Sequence, residues 1–125
     1  MSEHDEQAAL IEWADWLSLR HPRLAMLFAI PNGGARHKAV ASRMKAEGVR
    51  RGVPDLFLPV VGVNGAAGLW IEMKTTRGRL SPEQIWWRDH LRDHYDYALC
   101  RNWQEAARRI CAHLGIDAEA AGIAP

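Results

Sequence analysis

Gly52-Val53-Pro54-Asp55-Leu56 and, further along, Leu69-Trp70-Ile71-Glu72-Met73-Lys74 are the stretches from which the rest of the chain is read. In an extended strand successive side chains alternate between faces. Leu69, Ile71 and Met73 then share one face, while Trp70, Glu72 and Lys74 share the other. Asp55 opens the preceding apolar run just after a proline, so its carboxylate comes near Glu72 if the two strands pair. Two carboxylates in a small space repel each other unless something neutralises them. A hard divalent cation such as Mg²⁺ does so with a few carboxylate oxygens while keeping several waters. Lys74 beside them can orient or deprotonate a water, or offset charge developing on a phosphate. The simpler alternative is an ion pair between Glu72 and Lys74 on a solvated strand.

Working outward, Leu10, Trp13, Ala14 and Leu17 recur at helical spacing and predict a first helix over about Glu6 to Leu19, ended by Pro22. The apolar run Leu24 to Ile30 predicts a buried strand. The turn Pro31-Asn32-Gly33-Gly34 follows. Arg36 to Glu47 reads as a short basic helix stopped by Gly48. Asp55 to Val61 and Leu69 to Lys74 are strands joined by a glycine-rich loop. Ser81-Pro82-Glu83-Gln84 announces a helix with a capping box and a proline in its first turn, and Ile85, Trp86 and Leu91 supply its apolar side. Tyr95 to Cys100 reads as a strand, and Asn102 with Glu105 caps a last helix to about Leu114. The order α-β-α-β-β-α-β-α predicts an α/β domain with a mixed central β-sheet flanked by helices. All 125 residues suit one domain, with an alanine-rich, loosely ordered tail over 115–125.

Composition narrows the function classes. Apolar residues make up 48% and charged residues 25%, as in an ordinary globular protein, and no run approaches the roughly 20 residues that span a bilayer. The acidic start, Met1 to Glu6, does not resemble a signal peptide, which predicts an intracellular, cytoplasmic protein with no membrane partner. Cys100 and Cys111 form no CxxC pair and read as buried small hydrophobes, and the six histidines show no metal-ligand spacing.

Net charge is +1, but its distribution is uneven: five acids and no Lys or Arg lie between Met1 and Trp16, whereas Gly33 to Gly52 holds six bases against Glu47. Such a band grips phosphates, or solvates a helix face. Candidate phosphate contacts are Arg36, Lys38, Arg43, Arg50 and Arg51, with Arg77 in a second basic group. Asn32, Gly33 and Gly34 allow close backbone approach to a phosphate. The six tryptophans read mostly as core or subunit interface. Trp70, on the Glu72 face, is the candidate for a DNA contact.

Five ordered motifs together carry a resemblance: Glu3-His4-Asp5-Glu6-Gln7, Ile30-Pro31-Asn32-Gly33-Gly34, Gly48 to Leu58 (GVRRGVPDLFL), Leu69 to Lys74 (LWIEMK) and Leu80-Ser81-Pro82-Glu83-Gln84. They resemble the PD-(D/E)xK nuclease superfamily and, more narrowly, the VRR-NUC family (virus-type replication-repair nucleases) in its small stand-alone phage and bacterial form, over about Ser2 to Leu114. The resemblance implies a DNA endonuclease dependent on Mg²⁺ or Mn²⁺. Asp55, Glu72 and the Met73 carbonyl would be metal ligands, Lys74 the catalytic lysine, and Gln84 a further residue of the centre. An acid of the first helix would join them, Glu3 or, as the runner-up, Glu6. The family form further implies a homodimer acting on branched DNA such as four-way (Holliday) junctions, in DNA repair or recombination. Other substrates (flaps, nicks, linear duplex) and a catalytically weak DNA-binding module on the same fold stay open as alternatives.

Overall fold

The computed structural model describes residues 1–31 and 38–124. Asn32, Gly33, Gly34 and Arg36 lie outside the described residues. Helix α1 spans Glu3–Leu17. It starts earlier than the apolar spacing suggests because Ser2 caps it in a reciprocal box with Asp5, and Glu3, Asp5 and Glu6 load the first turn with negative charge. Its buried stripe contains Leu10, Trp13, Ala14 and Leu17, as the spacing requires, while Leu19 falls beyond the end and is exposed.

The long buried strand expected over Leu24 to Ile30 does not form. Pro22–Met26 is a 3-10 turn, and strand β1 is only Phe28–Ala29, exposed at the sheet edge. Pro22 favours the turn at its first position, and Leu24 and Leu27 point into the core instead of alternating along a strand. Helix α2 (Lys38–Ala46) buries none of its residues, and Gly48, with φ +101°, carries the chain out of it. Strands β2 (Leu56–Leu58), β3 (Leu69–Met73) and β4 (Asp96–Cys100) complete a four-stranded sheet in the order β1-β2-β3-β4. The first two pairings are antiparallel and β3–β4 is parallel, joined by helix α3 (Pro82–Leu91). The sheet is mixed, as the element order predicts.

Alternation divides the sheet. Leu56, Leu58, Leu69, Ile71, Met73, Ala98 and Cys100 face a core shared with α1 and with α4 (Trp103–Leu114), to which α4 adds Ala106, Ala107, Ile110, Cys111 and Leu114. Both cysteines are free and buried, and burial pushes their thiols up, Cys100 to about 12 and Cys111 to about 11. They behave as small apolar side chains. The Asn102 cap and the αL glycine Gly115 bound α4.

His113 of α4 is buried. Its Nδ1 lies 2.7 Å from Asp96 and its Nε2 2.5 Å from the Val60 carbonyl oxygen, tying α4 to the β2–β3 connection. The tail is packed rather than loose. Ala121 and Ile123 are buried, the Ala121 carbonyl accepts from Trp13 Nε1, and the Ala124 carbonyl accepts from Arg108. Alanines that look featureless in sequence fit closely against α1. Helix α3 also departs from expectation, since none of its residues is buried: Ile85 and Trp86 are 38% and 53% exposed. Among the described residues, no helix is long and apolar enough to cross a membrane.

Candidate active site

The two key strands are neighbours, so Asp55 and Glu72 meet. The Asp55 carbonyl accepts from Ile30 N at one side, while its carboxylate accepts from Met73 N at 2.7 Å on the other. That second bond fixes Asp55 against the strand carrying Glu72. Glu72 projects from the face opposite the core, yet it is only 1% exposed, and its Oε1 has no hydrogen-bond partner. Burial first, then a shared hydrogen bond with Asp55 and that residue's negative charge, hold the Glu72 carboxyl well above the usual carboxylate range. Lys74 offsets this only in part. A buried carboxyl with an unused oxygen beside a second carboxylate is costly unless a proton or a cation completes it.

Those donors fit a hard divalent cation. Among the described residues no group of three or more His, Cys, Asp and Glu side chains gathers, so further positions would be filled by backbone oxygen and water, as Mg²⁺ accepts. Lys74 follows Met73 and continues the parallel ladder, its backbone N–H donating to the Cys100 carbonyl at 3.0 Å. Its side chain is half-buried, and alternation sends it to the Glu72 face.

The two candidate acids of α1 separate clearly. The Glu3 carboxylate accepts from Thr75 N at 3.2 Å, directly after Lys74. Glu6 is buried, and its carboxylate accepts from Trp103 N, the first residue of α4. Glu6 therefore caps another helix, while Glu3 reaches the end of β3. Gln84 occupies the capping box of α3: its Oε1 accepts from Ser81 N at 2.8 Å, and its own N–H donates to Ser81 Oγ.

Two residues given no role of their own from the sequence shape this site. Gly52 has φ +91°, and a Cβ there would come within 2.7 Å of the Glu83 backbone. Only glycine lets the loop carrying Asp55 press against the start of α3. The signal lay in the glycine two places before Pro54. Arg101, just past β4, donates to the Thr75 and Gly78 carbonyls and so holds the loop after Lys74. Nothing local in the sequence links residues that far apart.

A groove of about 750 Å³ runs from Asp55 past Gly52, Ser81 and Gln84 to α2, with Lys38, Lys45, Arg50 and Arg51 on its walls. Lys45 joins the basic residues expected there. Arg43 does not line the groove, although it is exposed on α2, and Arg77 is exposed in the loop after Lys74. Trp70 is not a free ring. It stacks on Phe57 at 4.2 Å and meets Tyr95 edge-on, with its Nε1 buried and unpaired.

The VRR-NUC domain model matches residues 2–104 of this sequence. The chain belongs to the VRR-NUC family. A solved structure described as a VRR_NUC domain protein is similar over 93% of this chain and 90% of its own length, with a TM-score of 0.77 at 20% identity, which bears on the fold. No curated protein matches. The VRR-NUC domain is a nuclease of the PD-(D/E)xK type, and this chain carries Pro54-Asp55 and Glu72-Met73-Lys74 in sequence.

Proposed function

We propose that this VRR-NUC domain is an endodeoxyribonuclease dependent on Mg²⁺ or Mn²⁺ that hydrolyses phosphodiester bonds in branched DNA, including four-way junctions. One observation carries the reading: the buried, unpaired Glu72 oxygen lies behind Asp55, and Asp55 itself lines a groove walled by four basic side chains. A bare carboxylate pair would repel phosphate. The pair suits a phosphate site once a divalent cation is bound, which Asp55, Glu72 and the Met73 carbonyl would hold. Such a cation supplies charge neutralisation at the scissile phosphate and lowers the pKa of bound water.

The chain's own groups do the rest. Asp55 is held in place by the Met73 N–H. Lys74 orients the attacking water or takes its proton. Glu3, through Thr75, positions the backbone that follows Lys74, and this geometry favours Glu3 over Glu6 as the helical acid. Gln84 reaches the groove from the α3 cap. Lys38, Lys45, Arg50 and Arg51 hold the phosphate backbone, and Asn32, Gly33, Gly34, Arg36, Arg43 and Arg77 are further candidate contacts. A homodimer with twofold symmetry would present two centres for paired cuts, in keeping with action on junctions within the cytoplasm.

The test is a cleavage assay with labelled junction, flap and linear duplex, with Mg²⁺, Mn²⁺ or chelator, and Asp55→Ala alongside. Symmetric junction cuts that require both metal and Asp55 are expected. Preference for flap or linear duplex would change the substrate and keep the chemistry. Tight, metal-independent binding without any cutting would show a DNA-binding module instead.

A further inference from the structure

Beyond the groove, α3 carries an aromatic surface that neither the core nor the catalytic centre uses. Trp86 is more than half exposed yet held in place. Its indole stacks on His90 with centroids 4.0 Å apart and planes 27° from parallel, and it meets Trp87 edge-on at 5.3 Å. His90 Nδ1 lies 2.7 Å from the Trp86 carbonyl oxygen, which fixes the imidazole in that stack. Trp87 Nε1 donates to the Arg51 carbonyl, tying the aromatic cluster to the basic loop. An exposed tryptophan prepared in this way adds little to folding, and it suits a ligand that can use a flat face.

The surroundings indicate which ligand. Trp86 and Trp87 line a cavity of about 310 Å³ with Arg51, Pro82 and Glu83. Arg51 also lines the groove that holds Asp55, so the two recesses share a wall. The smaller recess offers one cation, one anion and otherwise apolar surface. Glu83 disfavours a phosphate there, whereas an uncharged planar ring would bury itself against the indole. Phosphates attached to that ring would follow Arg51 toward Arg50 and Lys45.

We propose that the Trp86–His90 shelf is a subsite for an unpaired nucleobase of the DNA strand that passes through the Asp55–Glu72 centre. In duplex DNA each base is already covered by its stacked neighbours, so the shelf selects a strand that is unpaired near the cut. Base–aromatic stacking of this kind tolerates any base sequence. The inference rests on the nuclease reading and adds to it a preference, among branched DNAs, for those with an unpaired arm beside the scissile bond.

The experiment measures binding in metal-free buffer, by anisotropy, to a blunt duplex and to the same duplex bearing an unpaired arm with 2-aminopurine. Trp86→Ala is expected to weaken binding to the armed duplex about tenfold, with the affinity for blunt duplex unchanged. Trp86→Phe should restore most of the loss. The 2-aminopurine emission should be quenched by the wild-type protein and not by Trp86→Ala. Equal weakening on both duplexes, or unaltered emission, would overturn the subsite. A shift to a smaller species on sedimentation of Trp86→Ala would assign the shelf to a second copy of the chain and overturn it as well. Wild-type cutting of the same substrates in Mg²⁺ is run in parallel. If wild type neither binds nor cuts, the nuclease reading fails and the subsite with it. If it binds and cuts while Trp86→Ala behaves identically, only the subsite fails.

Discussion

The two faces of β3 differ although their residues alternate along five positions. On one, Leu69, Ile71 and Met73 are sealed under α1 and α4. On the other, Trp70 and Glu72 carry buried polar atoms without partners, and Tyr97, paired in register with Trp70 on β4, carries another. An unsatisfied buried polar atom costs about 1–3 kcal/mol. The sealed face is built for stability. Its opposite leaves polar groups unsatisfied, and the proposed centre lies on that less satisfied face.

Substitutions should separate the two faces. The largest effect is expected from Glu72→Ala, with cleavage falling by at least about a hundredfold, the range for removing one preorganised electrostatic group. Its melting temperature should hold or rise, because an unpaired buried carboxyl is gone. A less stable protein that still cuts at the normal rate would break the contrast. On the sealed face, Ile71→Ala should cost about 2–5 kcal/mol in denaturant unfolding, while the protein that remains folded cuts as before. Loss of cutting at full stability would show that the faces are not separable.

A third comparison sharpens the division of α1. Glu6→Ala should destabilise by about 1 kcal/mol, since it uncaps α4 at Trp103, and leave the cleavage rate of folded protein alone. Glu3→Ala should do the reverse, slowing cleavage with little change in melting temperature. If both variants only destabilise, Glu3 is a structural tether.

The smallest effect concerns the sealed side and pH. Burial raises the Asp96 carboxyl, but hydrogen bonds from His113 and Asn64 outweigh it and hold the group below its ordinary value of 3.8. A carboxylate with a depressed folded-state pKa stabilises the fold above its unfolded value. That contribution shrinks as pH falls below 3.8 and is gone beneath the group's own lowered value. Asp96→Asn should therefore cost about 1 kcal/mol near neutrality, and the gap from wild type should close only in acid. A gap unchanged at low pH would remove the charge from the explanation.

Much of this arrangement can be read from residues whose neighbours in sequence are also their partners. The Ser81–Gln84 and Asn102–Glu105 caps close within three residues, and strand alternation puts Glu72 opposite Ile71 whatever the tertiary context. Asp55 beside Glu72 needed only that two adjacent strands pair. Where long-range packing decides, the sequence is a poorer guide. Leu24 to Ile30 is apolar enough for a strand, but Pro22 and the pull of Leu24 and Leu27 toward α1 leave just two residues of it. The apolar residues of α3 predicted a packed side, yet none of them is buried, and Trp86 stays in solvent. Arg101 and Thr75 meet only because β3 and β4 run parallel.

The bond from Trp13 to Ala121 links residues 108 positions apart. A ribosome releases the two ends of such a pair at very different times. Helix α1, with Glu3 at its tip, cannot finish seating until nearly the whole of this sequence has emerged. The contact that closes α1 against the tail is thus one that no nascent chain can make early.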